Sequence, residues 1–163
     1  MKLLSSGWTF AVKLSQDASE VRYKARLFVR GCQQPASSYS ETSSPVVPIN
    51  VFRALVANAT QRGLAVYHWD FKAAYLYAPV REEIFMKPPE GMELPRGSVL
   101  KLLKSWPGLR QAGPNWWRVL SGFFEKQGMH ATQAEPCLFI QRQRTDAQFE
   151  DGQPTPNQHY QMV

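Results

Sequence analysis

Asp70 directly follows the apolar run LAVYHW (64–69) and precedes the small-residue turn at Lys72, Ala73 and Ala74, with Tyr75 five positions beyond the acid. A lone carboxylate at such a junction supports two chemistries. It can cap the free amides of a following helical turn, or it can hold a divalent cation among other oxygen ligands. Tyr75 is correspondingly either a core aromatic or the floor of a binding pocket. Upstream, Arg22, Lys24, Arg26 and Arg30 form a basic cluster suited to phosphate, or the solvated side of an amphipathic element. His68 alternates onto the face of Asp70, where a structural histidine is the plainer reading. Cys32 and Cys137 make no close-spaced ligand pair with His68, His130 or His159, so a zinc centre lacks support and free thiols are expected.

These groups require a strand before Asp70 and a basic hairpin ahead of it. WTFAVKL (8–14) and EVRYKARLFVRG (20–31) alternate as strands joined by the turn SQDAS (15–19). Arg22, Lys24 and Arg26 fall on one face, and Val21, Tyr23, Ala25 and Leu27 on the other, which is fit to pack. A polar, proline-containing loop (32–48) follows. NVFRALVANATQRG (50–63) has helical spacing at Val51, Leu55, Val56 and Ala59, with Asn50 as N-cap and Gly63 as stop. LAVYHW reads as the strand delivering Asp70.

Short strands are expected in EEIFMK (82–87) and SVLKLLK (98–104), with turns between them. A second helix, PNWWRVLSGFFEKQG (114–128), carries an apolar stripe at Trp116, Val119, Leu120, Phe123 and Phe124. A last strand falls in EPCLFIQ (135–141). The interleaving predicts an α+β fold with an antiparallel sheet and packed helices.

The chain has 163 residues, 44% hydrophobic and 20% charged, values of a globular domain rather than a disordered one. Its net charge of +6 favours a polyanionic partner. The opening MKLLSSGWTF is too short in apolar residues for a signal peptide, and no run reaches membrane-spanning length. The expectation is a soluble, intracellular protein with no membrane partner.

Six segments together resemble the reverse transcriptase of copia-type retrotransposons: YKARLFVRG (23–31), SPVV (44–47), DFKAAYLYAPV (70–80), EEIFMKPPEGM (82–92), LKLLKSWPGLRQAGPNWW (100–117) and EPCLFI (135–140). They occur in that family's order and near its spacings. The resemblance implies an RNA-directed DNA polymerase domain over 8–142, with a polar, flexible tail over 143–163. It implies a partial right-hand polymerase fold, comprising the fingers and an incomplete palm.

By the same resemblance, Asp70 is the first catalytic acid and a Mg²⁺ ligand, and Tyr75 is the aromatic floor of the nucleotide pocket. Lys24 and Arg26 face the triphosphate, Gly108, Arg110 and Gln111 line the nucleotide and template, and Arg22 and Arg30 contact nucleic acid. The implied partners are an RNA or DNA template-primer and dNTPs.

The chain departs from the family at SWPGLRQ (105–111), where Leu-Tyr-Gly-Leu-Lys-Gln is usual, and at Pro114, where an arginine is common. It contains no Tyr-Val-Asp-Asp turn. The expectation is therefore a fragment lacking the C-terminal polymerase and RNase H segments of a polyprotein, and inactive alone. A non-catalytic nucleic-acid-binding remnant working through the basic hairpin, or a decayed reading frame, is the alternative.

Overall fold

The computed structural model describes residues 3–15 and 20–141. The expected tail over 143–163, with His159, lies outside them. Two compact units form: residues 3–44 with 72–119, and residues 45–71 with 120–141.

In the first unit, β1 (Ser6–Leu14) and β2 (Val21–Val29) pair antiparallel, Trp8 opposite Leu27 and Leu14 opposite Val21. The hairpin read from alternation forms, with its basic side chains on one face. The other face does not pack as expected. Only its base is covered, where Val29 enters the core, and beyond that Phe10, Val12, Leu14 and Tyr23 are exposed.

The core below gathers Leu4, Val29, Ile84, Met86, Leu102, Leu109 and Ala112, with Val80, Leu100 and Trp106 against it. Leu4 ties two layers together. Its amide donates to the Phe85 carbonyl, its carbonyl accepts from the Lys87 amide, and the next carbonyl, of Ser5, accepts from the Arg30 amide. β3 (Phe85–Met86) pairs antiparallel with β4 (Leu100–Lys101). Beside that ladder Lys101 Nζ meets Glu83 Oε1 at 2.6 Å. The hydrogen bond and the charge of Lys101 hold the Glu83 carboxyl below its usual range. The expected strands at 82–87 and 98–104 thus form as shorter pieces of one ladder.

In the second unit, α1 (Ile49–Gln61) starts two residues earlier than a cap at Asn50 would place it. Asn50 is inside the first turn, and Pro48, which has no side-chain hydrogen bond to give, stands at the N-cap. Pro48 is extended, with φ −65° and ψ 142°, as an N-cap residue is, and its carbonyl accepts from the Phe52 amide to open the helix. α1 ends at Gly63, whose φ is +64°.

Residues 64–69, read as the strand that delivers Asp70, have no regular structure. Alternation makes a strand only where a neighbour completes the ladder, and no strand of the described residues pairs with this segment. The Leu64 amide instead closes on Ala59 O at the helix end, and residues 65–70 are exposed.

α2 (Ala112–Lys126) counts with the first unit up to Val119 and with the second from Leu120, and Gly128 at φ +77° follows its last turn. Phe124 is buried on its inner face, packed against Phe139 with ring centroids 5.1 Å apart, while Phe123 of the expected stripe is half exposed. Phe139 lies on β6 (Phe139–Ile140), which pairs with β5 (His130–Ala131). Both cysteines are free thiols. Cys32 is exposed, and desolvation with a neighbouring Glu135 pushes the Cys137 thiol up.

The class is a mixed α and β fold, with three two-stranded antiparallel pairs among the described residues in place of one continuous sheet. No helix of the described residues is long and apolar enough to cross a membrane.

Leu4 and Phe139 are each 1% exposed and anchor different units. Leu4→Ala should cost about 2–5 kcal/mol and Phe139→Ala about 3–5 kcal/mol in urea unfolding. A loss well below about 1 kcal/mol would show that the residue is not an anchor.

Candidate functional site

The end of β2 and the loop at 105–111 are stitched together by main chain. The Val29 amide donates to Pro107 O at 2.8 Å. The Trp106 indole Nε1 donates to Leu27 O at 3.0 Å. Between these bonds Gly31 meets Gly108 with no space for a side chain on either. A Cβ on Gly31 would lie 2.0 Å from Gly108 O, and one on Gly108 would lie 2.0 Å from Val29 O. Gly108 also has φ +96°, a conformation that L side chains rarely adopt.

Gln34 locks the far side of this seam. It is 8% exposed, in the polar loop after a short 3-10 turn at Gly31–Gln33. Its Oε1 accepts from the Arg110 amide at 2.8 Å, and its Nε2 donates to Gln111 Oε1 at 3.0 Å. Gln111, 2% exposed, donates through Nε2 to Ser38 O at 3.4 Å and to Glu82 Oε2 at 3.3 Å. The buried amides are thereby satisfied, as burial requires. No buried side-chain nitrogen or oxygen among the described residues lacks a partner. Arg110 Nε reaches Gly31 O at 3.4 Å, and the residue is otherwise exposed.

A second polar chain runs behind the loop. Ser105, fully buried, donates its amide to Ala78 O, and its Oγ accepts from Asn115 Nδ2 at 3.0 Å. Arg118 donates through Nη1 to Asn115 Oδ1 and through Nη2 to Glu41 Oε2. Pro79, Arg81, Asn115, Arg118 and Val119 line a small open cleft of about 130 Å³.

The first unit holds eight of the nine residues singled out in the sequence. Arg22 and Arg26 are exposed on the ribbon's basic face, Arg22 pairing loosely with Glu20 at 3.5 Å. Lys24, on the same face, is half-buried, and Arg30 is exposed just past β2. The seam sets Gly31, next to Arg30 in sequence, against Gly108, and Gln34 against Arg110 and Gln111. Tyr75 sits 37% exposed in a 3-10 turn (Ala74–Tyr77). Before it stands Ala73 at φ 52°, the one positive-φ non-glycine among the described residues, its carbonyl accepting from the Leu76 amide.

Asp70 belongs to the second unit and is exposed. Among the described residues no group of three or more His, Cys, Asp or Glu side chains gathers to hold a metal. Mg²⁺ keeps its waters unless several oxygen ligands converge. The described residues therefore do not fit a Mg²⁺ site. Gln34 was missed from sequence because it lies in an aperiodic polar loop. A nearby glutamine-rich stretch, CQQ before Pro35, was the one available signal.

Residues 1–148 match the family model described as reverse transcriptase (RNA-dependent DNA polymerase). The chain is 37% identical over 142 residues to the retrovirus-related Pol polyprotein from transposon TNT 1-94 of Nicotiana tabacum, covering 85% of this chain and 11% of that one. It is 32% identical to the Pol polyprotein from transposon RE1 of Arabidopsis thaliana, over 82% of this chain and 9% of that one. With the Ty1-DR5 Gag-Pol polyprotein of Saccharomyces cerevisiae it shares 30% identity, over 79% and 7%. The chain thus spans about a tenth of the length of these relatives. No solved structure matches it.

The seam sets opposite expectations for three glycines. Gly31→Ala and Gly108→Ala place a methyl into a backbone carbonyl, and each should destabilise by at least about 3 kcal/mol. Gly122, inside α2 with nothing within 4 Å of where a methyl would stand, should gain about 0.5–1 kcal/mol as Ala. Thermal unfolding of the three variants checks the ordering, and a neutral Gly108→Ala would remove the seam's structural role.

Proposed function

The chain belongs to the reverse transcriptase family, and from that premise we propose that it is a segment of a retrotransposon Pol polyprotein comprising the fingers and an incomplete palm. The observation that carries this reading is the seam. It joins the basic ribbon to the loop 107–111, so that the two segments the resemblance assigns to the incoming nucleotide belong to one compact unit. In that role Lys24 and Arg26 face the triphosphate, Gly108, Arg110 and Gln111 line the nucleotide and template, and Arg22 and Arg30 contact the backbone of the template-primer. Tyr75 is the floor of the nucleotide pocket, and Asp70 stands at the place of the first metal-binding acid, a vestigial site that one carboxylate leaves incomplete.

The burial of Gln111 refines its part. Its amide is spent on Gln34, Ser38 and Glu82, so it acts by holding Arg110 and the loop backbone in place. Arg110 has a guanidinium with a single long protein contact and is the group free to meet an anion.

In this family divalent ions held by several carboxylates stabilise the attacking and leaving oxygens of phosphoryl transfer. The described residues supply one acid at the expected place, exposed and without converging partners. The proposal is therefore a chain without polymerase activity by itself. Losing even one group that stabilises transition-state charge costs on the order of 10²–10³ in rate, and the Tyr-Val-Asp-Asp acids are both absent from the sequence. Primer extension on an RNA template with Mg²⁺ or Mn²⁺ should yield no product. Extension that disappears in Asp70→Asn would overturn the proposal.

Binding is the activity that the chain retains in this reading. The basic face presents Lys13, Arg22, Lys24 and Arg26, and it should bind nucleic acid weakly and without sequence preference. The log–log slope of affinity against salt should be roughly −0.7 to −0.9 per phosphate contact. Lys24→Ala combined with Arg26→Ala should lower both affinity and slope. A salt-independent isotherm, or an unchanged one in the double variant, would reject the basic face as the binding surface.

A further inference from the structure

The face of the β1–β2 ribbon opposite the basic one has a separate consequence, independent of the polymerase reading. Register and alternation put Trp8, Phe10, Val12 and Leu14 of β1 beside Leu27, Ala25, Tyr23 and Val21 of β2. None of these eight positions carries a charge. Phe10 is 74% exposed, Val12 63%, Leu14 65% and Tyr23 84%, and Trp8 stacks on Phe10 with centroids 6.2 Å apart.

We propose that this face is a self-association surface, on which a second copy of the chain lays the same face in a two-fold, face-to-face pair. Two observations select a second copy as the occupant. The first is area. The exposed side chains of this face amount to on the order of 800 Å² per copy, what a standard-sized interface removes from each partner.

The second is the division of charge. Lys13, Arg22, Lys24 and Arg26 all point to the opposite side, so apposing two apolar faces buries no charge and turns both basic faces outward. A two-fold axis through the middle of the ribbon makes the patch self-complementary. Two ribbons stacked at the ordinary sheet spacing of roughly 10 Å form a four-stranded sandwich. This also answers a difficulty of the single copy, since an isolated two-stranded ribbon is marginal in water. A nucleic acid does not take this face, because phosphates seek the other one.

The pairing has its own salt signature. Association through apolar surface holds or strengthens with added salt, whereas phosphate binding on the basic face weakens. The test is the mass of the purified chain by light scattering over a roughly hundredfold concentration range, at low and high salt. The expected result is a monomer–dimer equilibrium that persists at high salt. It should weaken at least about tenfold when Phe10→Thr and Tyr23→Thr are combined, threonine keeping the strand propensity of both sites.

A second arm needs no folding argument about that variant. With Cys32→Ser and Cys137→Ser in place, Val12→Cys on the apolar face should be joined into a covalent dimer by a short bismaleimide. Ala11→Cys on the basic face should not. A chain that stays monomeric throughout, a dimer indifferent to the double variant, or equal cross-linking from positions 11 and 12 overturns the proposal. So does a monomer that floats with neutral phosphatidylcholine vesicles, which would assign the face to lipid.

Discussion

Gly31 and Gly108 touch backbone to backbone, and most of the first unit is arranged around that contact. The Val29 amide can reach Pro107 O only because no side chain separates the two chains there. The same closeness puts the Gln34 side chain against the Arg110 amide and Gln111, and seats Leu109 in the core beside Val29. A hairpin that would otherwise be a free ribbon is thereby fastened at its base to a loop far along the chain. The constraint is steric first and electrostatic second. The hydrogen bonds add about 1 kcal/mol apiece, but they exist only while the gap between the two glycines stays closed.

What the sequence made legible follows from how local each signal is. The ribbon was readable because alternation over nine residues in both strands is a strong local pattern, and the two helices because apolar spacing and terminal glycines agree. The residues 64–69 carry an equally strong strand pattern and yet form no strand, since pairing is supplied by a neighbour and not by the segment itself. Asn50 failed as a cap for a similar reason. Its type is right, but the helix already opens two positions earlier, where the Pro48 carbonyl accepts from the Phe52 amide. Gln34 and Ser105 were invisible because their roles come from contacts 77 and 10 residues away in sequence, which no periodicity encodes.

Asp70 shows where family resemblance and local physics part. The motif around it identifies descent, and the whole-chain match over residues 1–148 agrees. Holding a hydrated divalent ion, however, is a property of several oxygens at once, and a motif carries only one of them. Eight of the nine residues assigned from the motifs lie in the first unit, where core and seam fix their backbone. The acid lies in an exposed segment of the second. The positions that the resemblance assigns to phosphate thus share one compact unit, and the acid that it assigns to metal binding belongs to the other.

The ribbon makes the same division on a smaller scale. A period of two sorts its residues so that every charged side chain of β1 and β2 is on one face and the large apolar side chains of the distal ribbon are on the other. Each face then obeys its own physics, one screened by ions and the other indifferent to them. Because the strand separates them, occupying one face leaves the chemistry of the other unchanged. A change to a single residue acts on one face only, whereas a one-residue slip in register would exchange the two entirely. The seam at Gly31 and Gly108 prevents that slip. It fixes Leu27 and Val29 against Trp106 and Pro107, and so decides from the base upward which side of the ribbon is basic.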